Sequence, residues 1–170
     1  LLNKISSVRK SGLTFAIETG DKTGHLIINK EINTNKIVNI IKSAIKSGWR
    51  MIKLYFMIGL PFIENEKESI INFVDKILLI DRKLKINLNI AVFVPKPHTV
   101  FQYERQLSLE ESIRIFHEIE NHYRKTRVTI KRHSPYASYI EGFIARGDDK
   151  TGLAIYEAYK KGCKFDGWSE

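Results

Sequence analysis

The sequence predicts an α/β domain of about four strand-helix units with parallel strands. Short apolar segments rich in β-branched and aromatic residues alternate four times with segments whose apolar residues recur at helical spacing. Pro61, Pro95 and Pro135 each follow shortly after a predicted strand, where proline ends sheet pairing because it has no N–H. Strands that are joined through helices pair in parallel, either in an open sheet or in part of a barrel.

The first unit is a strand followed by a helix. Residues Leu13–Thr19 are partly β-branched and lie between Gly12 and Gly20, which is typical of a strand. A helical segment opens at Thr34, and Gly48 fits the position just past its end. Its predicted buried face consists of Ile37, Val38, Ile40, Ile41, Ala44 and Ile45.

The second unit begins with Met51–Ile58. This segment is apolar on both faces, which predicts a strand that is covered by helices on each side. A helix is predicted from about Asn65 to Ile80. Its inward residues are predicted to be Ile70, Ile71, Phe73, Val74, Ile77 and Leu78.

The third and fourth strands are predicted over Ile86–Val94 and Arg127–His133. Between them, Ser108 and Glu111 have the spacing of a capping box, which predicts a helix start. The inward face of that helix is predicted to be Ile113, Phe116, Ile119 and Tyr123. Two shorter helices are predicted over Tyr136–Ala145 and Thr151–Lys161.

The composition predicts a folded globular protein, and we expect residues 1–170 to form a single domain. No apolar stretch approaches the roughly 18 residues that a membrane helix needs, and the N-terminus lacks the pattern of a signal peptide. We therefore expect a cytoplasmic protein with no membrane partner. Because the first residue is Leu1 and not Met, we expect a piece of a longer protein.

Cys163 is the only cysteine, so the chain can form neither an internal disulfide nor an all-cysteine metal site. We predict no metal ligands, and we expect Cys163 to be a buried small hydrophobe near a helix end. The net charge of +9 allows an anionic partner such as RNA. The densest basic block is Arg124–His133, but alternate residues of a strand face opposite ways, so its cations should not form one patch.

Six segments together resemble a known family: SGLTFAIETG, the helical segment that ends at Trp49, IKLYFMIGLPFIENEKES, FVPKPHTVFQ, IEGFIARGD and FDGWSE. In this order and spacing they resemble the later half of a radical S-adenosylmethionine (SAM) domain. More narrowly, they resemble uncharacterised radical SAM proteins that are often preceded by a cobalamin-binding-like domain. The resemblance covers the chain from about Ser11 to Glu170.

The resemblance implies a partial, half TIM-like (β/α) barrel whose first strands are absent here. It implies that the parent protein cleaves SAM reductively to a 5′-deoxyadenosyl radical, which abstracts hydrogen from a substrate. In the family, a CxxxCxxC loop holds a [4Fe–4S] cluster, and this sequence has no such loop. We therefore expect neither cofactor on this chain alone, which would be inactive without the missing N-terminal half of the barrel.

The resemblance also implies that SAM binds at the carboxyl ends of the strands. Glu18 matches the acidic position that faces the SAM ribose or methionine, and Gly20 would let the backbone approach the ligand. Relatives tend to have proline where Ile17 stands, so the resemblance leaves the shape of this loop open. The remaining matches would give main-chain and apolar contacts to SAM; they are Gly59, Leu60, Pro61, Val94 and Pro95.

Other candidates follow from the residues alone. His133, at the end of the last strand, is either an acid–base group or substrate contact, or a structural histidine bonded to a loop carbonyl. Four aromatic residues are expected in the core or as loop anchors, namely Tyr55, Phe56, Phe93 and Phe101.

Two alternatives to the enzyme fragment stay open. One is a non-redox module that binds a nucleotide or RNA. The other is self-association through the outer strands, because an open piece of a barrel exposes unpaired strand edges.

Overall fold

A computed structural model of the chain describes residues 12–163, and within that range it has four strands and six helices. Strands β1 to β4 are Leu13–Glu18, Met51–Ile58, Lys85–Val92 and Val128–Arg132. Helices α1 to α6 are Lys22–Ile27, Thr34–Lys46, Glu66–Leu78, Leu109–His122, Pro135–Ala145 and Asp149–Lys160. Each predicted strand and helix is present with shifted ends, whereas the short helix α1 had no counterpart in the sequence prediction.

The four strands form one parallel sheet in the order β1-β2-β3-β4, which confirms the parallel α/β prediction. Leu54 of β2 lies between Phe15 of β1 and Leu88 of β3. Because the order runs in one direction along the chain, right-handed crossovers place the connecting helices on the same face of the sheet. Within the described range, β1 and β4 are the outer strands.

The core lies between that face and the helices. Ile52, Leu54, Phe56 and Ile58 of β2 are buried together with alternate residues of β3. The other residues of β2 are not: Met51 is 41% exposed and Tyr55 is 42% exposed. The prediction that Met51–Ile58 is covered on both faces is therefore wrong. Met51 and Tyr55 count as apolar residues by type, so the sequence of β2 was interpreted as apolar on both faces although its burial alternates.

Helices α2, α3 and α4 bury one apolar stripe each against the sheet. The predicted inward residues Ile70, Phe73 and Ile77 of α3 and Phe116 of α4 are buried. In α2, however, Ile40 is 38% exposed, which contradicts its predicted place on the buried face. At about 100° of rotation per residue, Ile40 lies at the margin of the stripe that Ile41 and Ile45 define.

The predicted start of α4 is confirmed. Ser108 accepts a hydrogen bond from the N–H of Glu111, and the Glu111 carboxylate accepts the N–H of Ser108, which completes the capping box. Gly48 has a φ of 93° just past the end of α2, as its position predicted. Each boundary depends on neighbouring residues only, which explains why the sequence predicted both.

The chain ends, within the described residues, on two exposed helices. Most residues of α6 are exposed, and Cys163 just beyond it is half-buried and not, as expected, buried. The FDGWSE segment lies outside the described residues. None of the helices from residue 12 to residue 163 is long and apolar enough to cross a membrane.

Candidate functional site

The carboxyl ends of the four parallel strands meet at one edge of the sheet. Phe93 donates its N–H to the carbonyl of Ile58 at 2.8 Å, and His133 donates to the carbonyl of Ile90 at 3.1 Å. Glu18 is paired in register with Phe56. The candidate residues of the four strand ends therefore lie along the same edge, where ligands bind in parallel α/β folds.

Glu18 occupies an irregular end of β1. The pairing with β2 shifts register between Ala16 and Glu18, and Glu18 has a φ of 68°, which is rare for a residue with a side chain. Its carboxylate forms an ion pair with the ammonium group of Lys30, in the segment after α1. The negative charge of Glu18 is thus already compensated by a cation of the same chain.

Gly20 is explained by helix packing. A Cβ at this position would lie 2.2 Å from the carbonyl oxygen of Ser69, in α3. Only glycine lets the end of β1 approach the α3 backbone this closely. The adjacent Asp21 caps α1 by accepting the N–H of Gly24 at 2.7 Å.

Gly59 and Leu60 are held by a residue that the sequence analysis did not single out. The carboxylate of Glu66, in the first turn of α3, accepts the N–H of Gly59 at 2.5 Å and the N–H of Leu60 at 3.1 Å. Gly59 has a φ of 84°, and a Cβ there would lie 2.7 Å from Cγ of Leu107. The loop formed by Gly59, Leu60 and Pro61 after β2 is therefore closed around the buried carboxyl group of Glu66.

Burial sets the protonation of Glu66. Removal from water raises the pKa of its carboxyl group to about 7, and the two backbone N–H groups, which favour the charged form, offset only part of that rise. A carboxyl group with such a pKa gives and takes protons near neutral pH, as a general acid or base must.

Glu66 lines a cavity of about 580 Å³ together with Gly59, Leu60 and Pro61. The cations on its walls are already paired: Lys67 contacts Glu118 at 2.5 Å, and Arg105 contacts Glu111 at 2.7 Å. The Arg105 guanidinium and the capping hydrogen bond lower the pKa of Glu111 to about 2, so this pair stays charged. Burial thus gives this cavity a carboxyl group, that of Glu66, whose charge responds to pH near neutrality.

The end of β3 is anchored by its loop. Pro95 is buried and Val94 is half-buried. Phe93 and Phe101 pack edge to face with ring centroids 5.7 Å apart, which confirms their predicted role as loop anchors. Lys96 forms an ion pair with Glu141 of α5, so the loop is also tied to that helix.

The predicted site residues do not share one cavity. Gly20 lines a cavity of about 480 Å³ near the start of α2, whereas Gly59 lines the cavity of Glu66. His133 is exposed at the end of β4. The structure therefore aligns these residues along the edge of the sheet without gathering them around a single point.

The cations of the Arg124–His133 block are divided, as strand alternation predicts. Arg132 contacts Glu120 at 3.1 Å and lies over the ring of Phe116, on the helix-covered side. Arg127 donates to the carbonyl of Asp81 at 2.7 Å, near the end of α3. Lys131 is paired in register with Asn89, whose neighbours Leu88 and Ile90 are the buried residues of β3. Lys131 therefore belongs to the opposite face.

His25 is a second buried polar residue without a sequence signal. Its Nε2 lies 2.9 Å from the carbonyl oxygen of Ile17, while its Nδ1 is buried with no partner among the described residues. Since a carbonyl only accepts, Nε2 carries the hydrogen. Residues 12–163 contain no group of three His, Cys, Asp or Glu side chains that could hold a metal ion.

No family model matches the chain. It is 34% identical over 151 residues to the uncharacterized protein MJ0966 of Methanocaldococcus jannaschii. The match covers 88% of this chain but 32% of that protein, so the chain spans about a third of the length of this relative. Because the relative is uncharacterized, the match assigns no activity, and the resemblance to radical SAM domains stays a prediction.

Proposed function

We propose that the chain is the later half of a radical SAM barrel and forms the SAM-side and substrate-side walls of the parent enzyme. The parent would cleave SAM reductively and use the resulting 5′-deoxyadenosyl radical to abstract hydrogen from a substrate. The observation that carries the proposal is the parallel sheet in sequential strand order, whose connecting helices within residues 12–163 lie on one face. A doubly wound sheet has helices on both faces, whereas every segment of a barrel has them on one.

The length of the relative supports the same proposal. A complete eight-stranded barrel takes about 250 residues, and four strands are described here. A longer relative has room for the remaining strands and for a further domain. The parent's activity, substrate and cofactors belong to that longer protein.

The residues of this chain do not fit an iron–sulfur cluster. Three thiolates are required in the family, and Cys163 is the single cysteine. When bound in the parent, the cluster would supply the electron that cleaves SAM.

The fit to SAM is partial. The N–H groups of Gly59 and Leu60 are taken by Glu66, so they would shape the loop and not bind the ligand. Glu18 would accept hydroxyl groups of the ribose while Lys30 balances its charge. Val94 would offer apolar contact, since it is only half-buried.

The proposed parent protein is where the proposal can be tested. We expect a CxxxCxxC motif in its N-terminal part, brown iron–sulfur absorbance after anaerobic reconstitution, and 5′-deoxyadenosine as a product of SAM. Cysteine-to-alanine variants of the motif serve as controls and should lose both the absorbance and the product. A natural protein without the motif would contradict the proposal.

A second measurement on the parent protein tests the role of Glu18. We expect Glu18→Gln in the parent to weaken SAM binding, measured by calorimetry, because a neutral amide accepts ribose hydroxyl groups less strongly than a carboxylate. The matched control is Glu157→Gln, which removes an exposed carboxylate of α6 that also forms an ion pair, with Lys160. Equal SAM affinity of both variants and the unchanged parent would contradict the role of Glu18.

A further inference from the structure

The face of the sheet opposite the helices, here called the inner face, is polar across all four strands. Because each segment of a barrel has its helices outside, the proposed function makes this face a wall of the barrel interior. Two rows of side chains cross the face in register. The first is Thr14, Lys53, Asn87 and Thr129, and the second, nearer the carboxyl edge, is Ala16, Tyr55, Asn89 and Lys131.

These rows differ from the packed interior of an ordinary barrel. Valine, isoleucine and leucine fill the layers inside an eight-stranded barrel, and neither row contains any of them. Such residues stand on the other face, as Ile52, Leu54 and Leu88 do. Polar side chains in an enclosed interior need hydrogen-bond partners, which water or a ligand supplies. The inner face is therefore suited to hold a polar ligand and not to pack as a core.

The inner face carries two ammonium groups without a counter-charge. Lys53 stands in the first row and Lys131 in the second, and neither row contains an aspartate or glutamate. Within residues 12–163, neither of these lysines forms an ion pair, whereas Lys67 and Lys96 on other surfaces do. Inside a barrel, water screens such charges less than on an open surface, so they attract an anion.

The two lysines are placed to reach one ligand. They lie two strands apart, at about 4.8 Å per strand, and one row apart, at about 6.7 Å, so their Cα atoms are roughly 12 Å from each other. Inward-facing side chains of a barrel point toward its axis, and the flexible lysine stem lets each ammonium group approach the same point. Tyr55 and Asn89 stand between them in the second row and add a hydroxyl group and an amide.

We propose that the substrate of the parent enzyme is a phosphate monoester, whose phosphate group binds between Lys53 and Lys131. The proposal rests on the proposed function, because that function makes the inner face an enclosed site. A phosphate monoester carries a charge of about −1.5 to −2 at pH 7, which two ammonium groups balance. Lysine binds phosphate as a point charge, whereas a carboxylate is matched by the paired donors of arginine, which neither row contains.

The test is the binding of inorganic phosphate to the reconstituted parent protein, followed by phosphorus NMR at constant ionic strength. Acetate, as a carboxylate, is tested by its ability to displace phosphate. We expect phosphate to bind more tightly than acetate, and Lys53→Gln and Lys131→Gln each to weaken phosphate binding about tenfold. The matched control is Lys42→Gln, which removes an exposed lysine of α2 on the outer surface and should leave phosphate affinity unchanged.

A charge-preserving variant separates charge from folding. Lys131→Arg keeps a cation at the same position and should keep phosphate affinity within a few-fold of the unchanged parent. Circular dichroism establishes that each variant is folded. If Lys131→Gln does not fold, Lys53→Gln and the phosphate affinity of the unchanged parent decide the outcome.

Several results would overturn the inference. They are absence of phosphate binding by the unchanged parent, acetate affinity equal to phosphate affinity, and equal weakening by Lys42→Gln and Lys131→Gln. Lower stability of both glutamine variants without any phosphate binding would have a different meaning. It would show that carboxylates of the missing strands neutralise Lys53 and Lys131.

Formation of 5′-deoxyadenosine by the unchanged parent is measured separately and tests the proposed function alone. A parent that cleaves SAM without binding phosphate contradicts the inference and leaves the proposed function standing. A parent that binds phosphate through the two lysines but does not cleave SAM contradicts the proposed function. The assignment of phosphate to its substrate then falls as well.

Discussion

The carboxylate of Glu66 accepts the N–H of Gly59 at 2.5 Å, across seven positions of the chain. This hydrogen bond, with that of Leu60, closes the loop after β2 onto the start of α3. The loop at the edge of the sheet is therefore fixed by a group whose pKa, raised to about 7 by burial, lies near neutral pH. The shape of the candidate site is linked to the protonation of one carboxyl group.

The first prediction concerns pH. The pKa of Glu66 rises from its ordinary value of 4.5 to about 7 on folding, so between these values the folded chain holds a proton that the unfolded chain releases. The free energy of unfolding should therefore fall as pH rises through this window, by at most about 3 kcal/mol. Glu66→Gln cannot titrate, and its amide keeps one acceptor oxygen where the carboxylate offers one to each of the two N–H groups. Urea unfolding at several pH values should show a flatter dependence for this variant.

The matched control for this measurement is Glu68→Gln in the same helix. Lys67 lowers the pKa of Glu68 by a hydrogen bond, so Glu68 titrates below the window. Removing the Glu68 carboxylate should leave the pH dependence of the free energy of unfolding unchanged between about pH 5 and pH 7, the range in which Glu66 takes up its proton on folding. A Glu66→Gln variant with the pH dependence of the unchanged chain would contradict the raised pKa.

The second prediction concerns Gly59. Alanine at this position would place Cβ 2.7 Å from Cγ of Leu107 and would have to adopt a φ of 84°. We expect Gly59→Ala to lower the free energy of unfolding by roughly 1–3 kcal/mol, from backbone strain and overpacking together. Gly152→Ala is the control, because it lies inside α6 with open space around its Cβ position. That variant should gain about 0.5–1 kcal/mol, since alanine is the better helix former. Equal effects of the two substitutions would contradict the account of the loop.

Local signals explain which parts of the fold the sequence could predict. The capping box of Ser108 and Glu111 lies within four residues of chain, and the strands are short apolar runs between turn residues. Helix α1 has only six residues, too few for a recognisable apolar period. Tyr55 was misplaced because an aromatic residue on a strand is apolar by composition, whatever the face on which it stands.

The candidate site was predicted only as far as its position along the edge of the sheet. Proline and glycine after each strand mark that edge, and the structure places Gly59 and Pro95 there. The bonds that shape it join residues far apart in sequence or across a loop, as Glu66 does with Gly59 and Lys30 with Glu18. Such pairs depend on loop geometry, which residue type and spacing do not specify.

The third prediction concerns the start of α4. Ser108→Ala removes the acceptor for the N–H of Glu111, and loss of an N-cap side chain typically costs about 1 kcal/mol. Because Arg105 also contacts the Glu111 carboxylate, Glu111→Gln should cost a similar amount and weaken that ion pair as well. Thermal unfolding by circular dichroism measures both. Ser43→Ala, an exposed serine of α2, is the control and should change stability by less than about 0.5 kcal/mol.

The fourth prediction separates two explanations of Gly20. If the glycine is required for packing, Gly20→Ala should destabilise the free chain, because its Cβ would lie 2.2 Å from the backbone carbonyl oxygen of Ser69 and α3 would have to shift. We expect a loss of roughly 1–3 kcal/mol in the free energy of unfolding without any ligand present. Gly12→Ala is the control: its Cβ would have only ordinary contacts, the nearest at 3.7 Å from Lys53. Unchanged stability of the Gly20→Ala chain, together with weaker SAM binding by the parent protein that carries the same substitution, would instead show that the glycine serves ligand approach, and the packing explanation would be wrong.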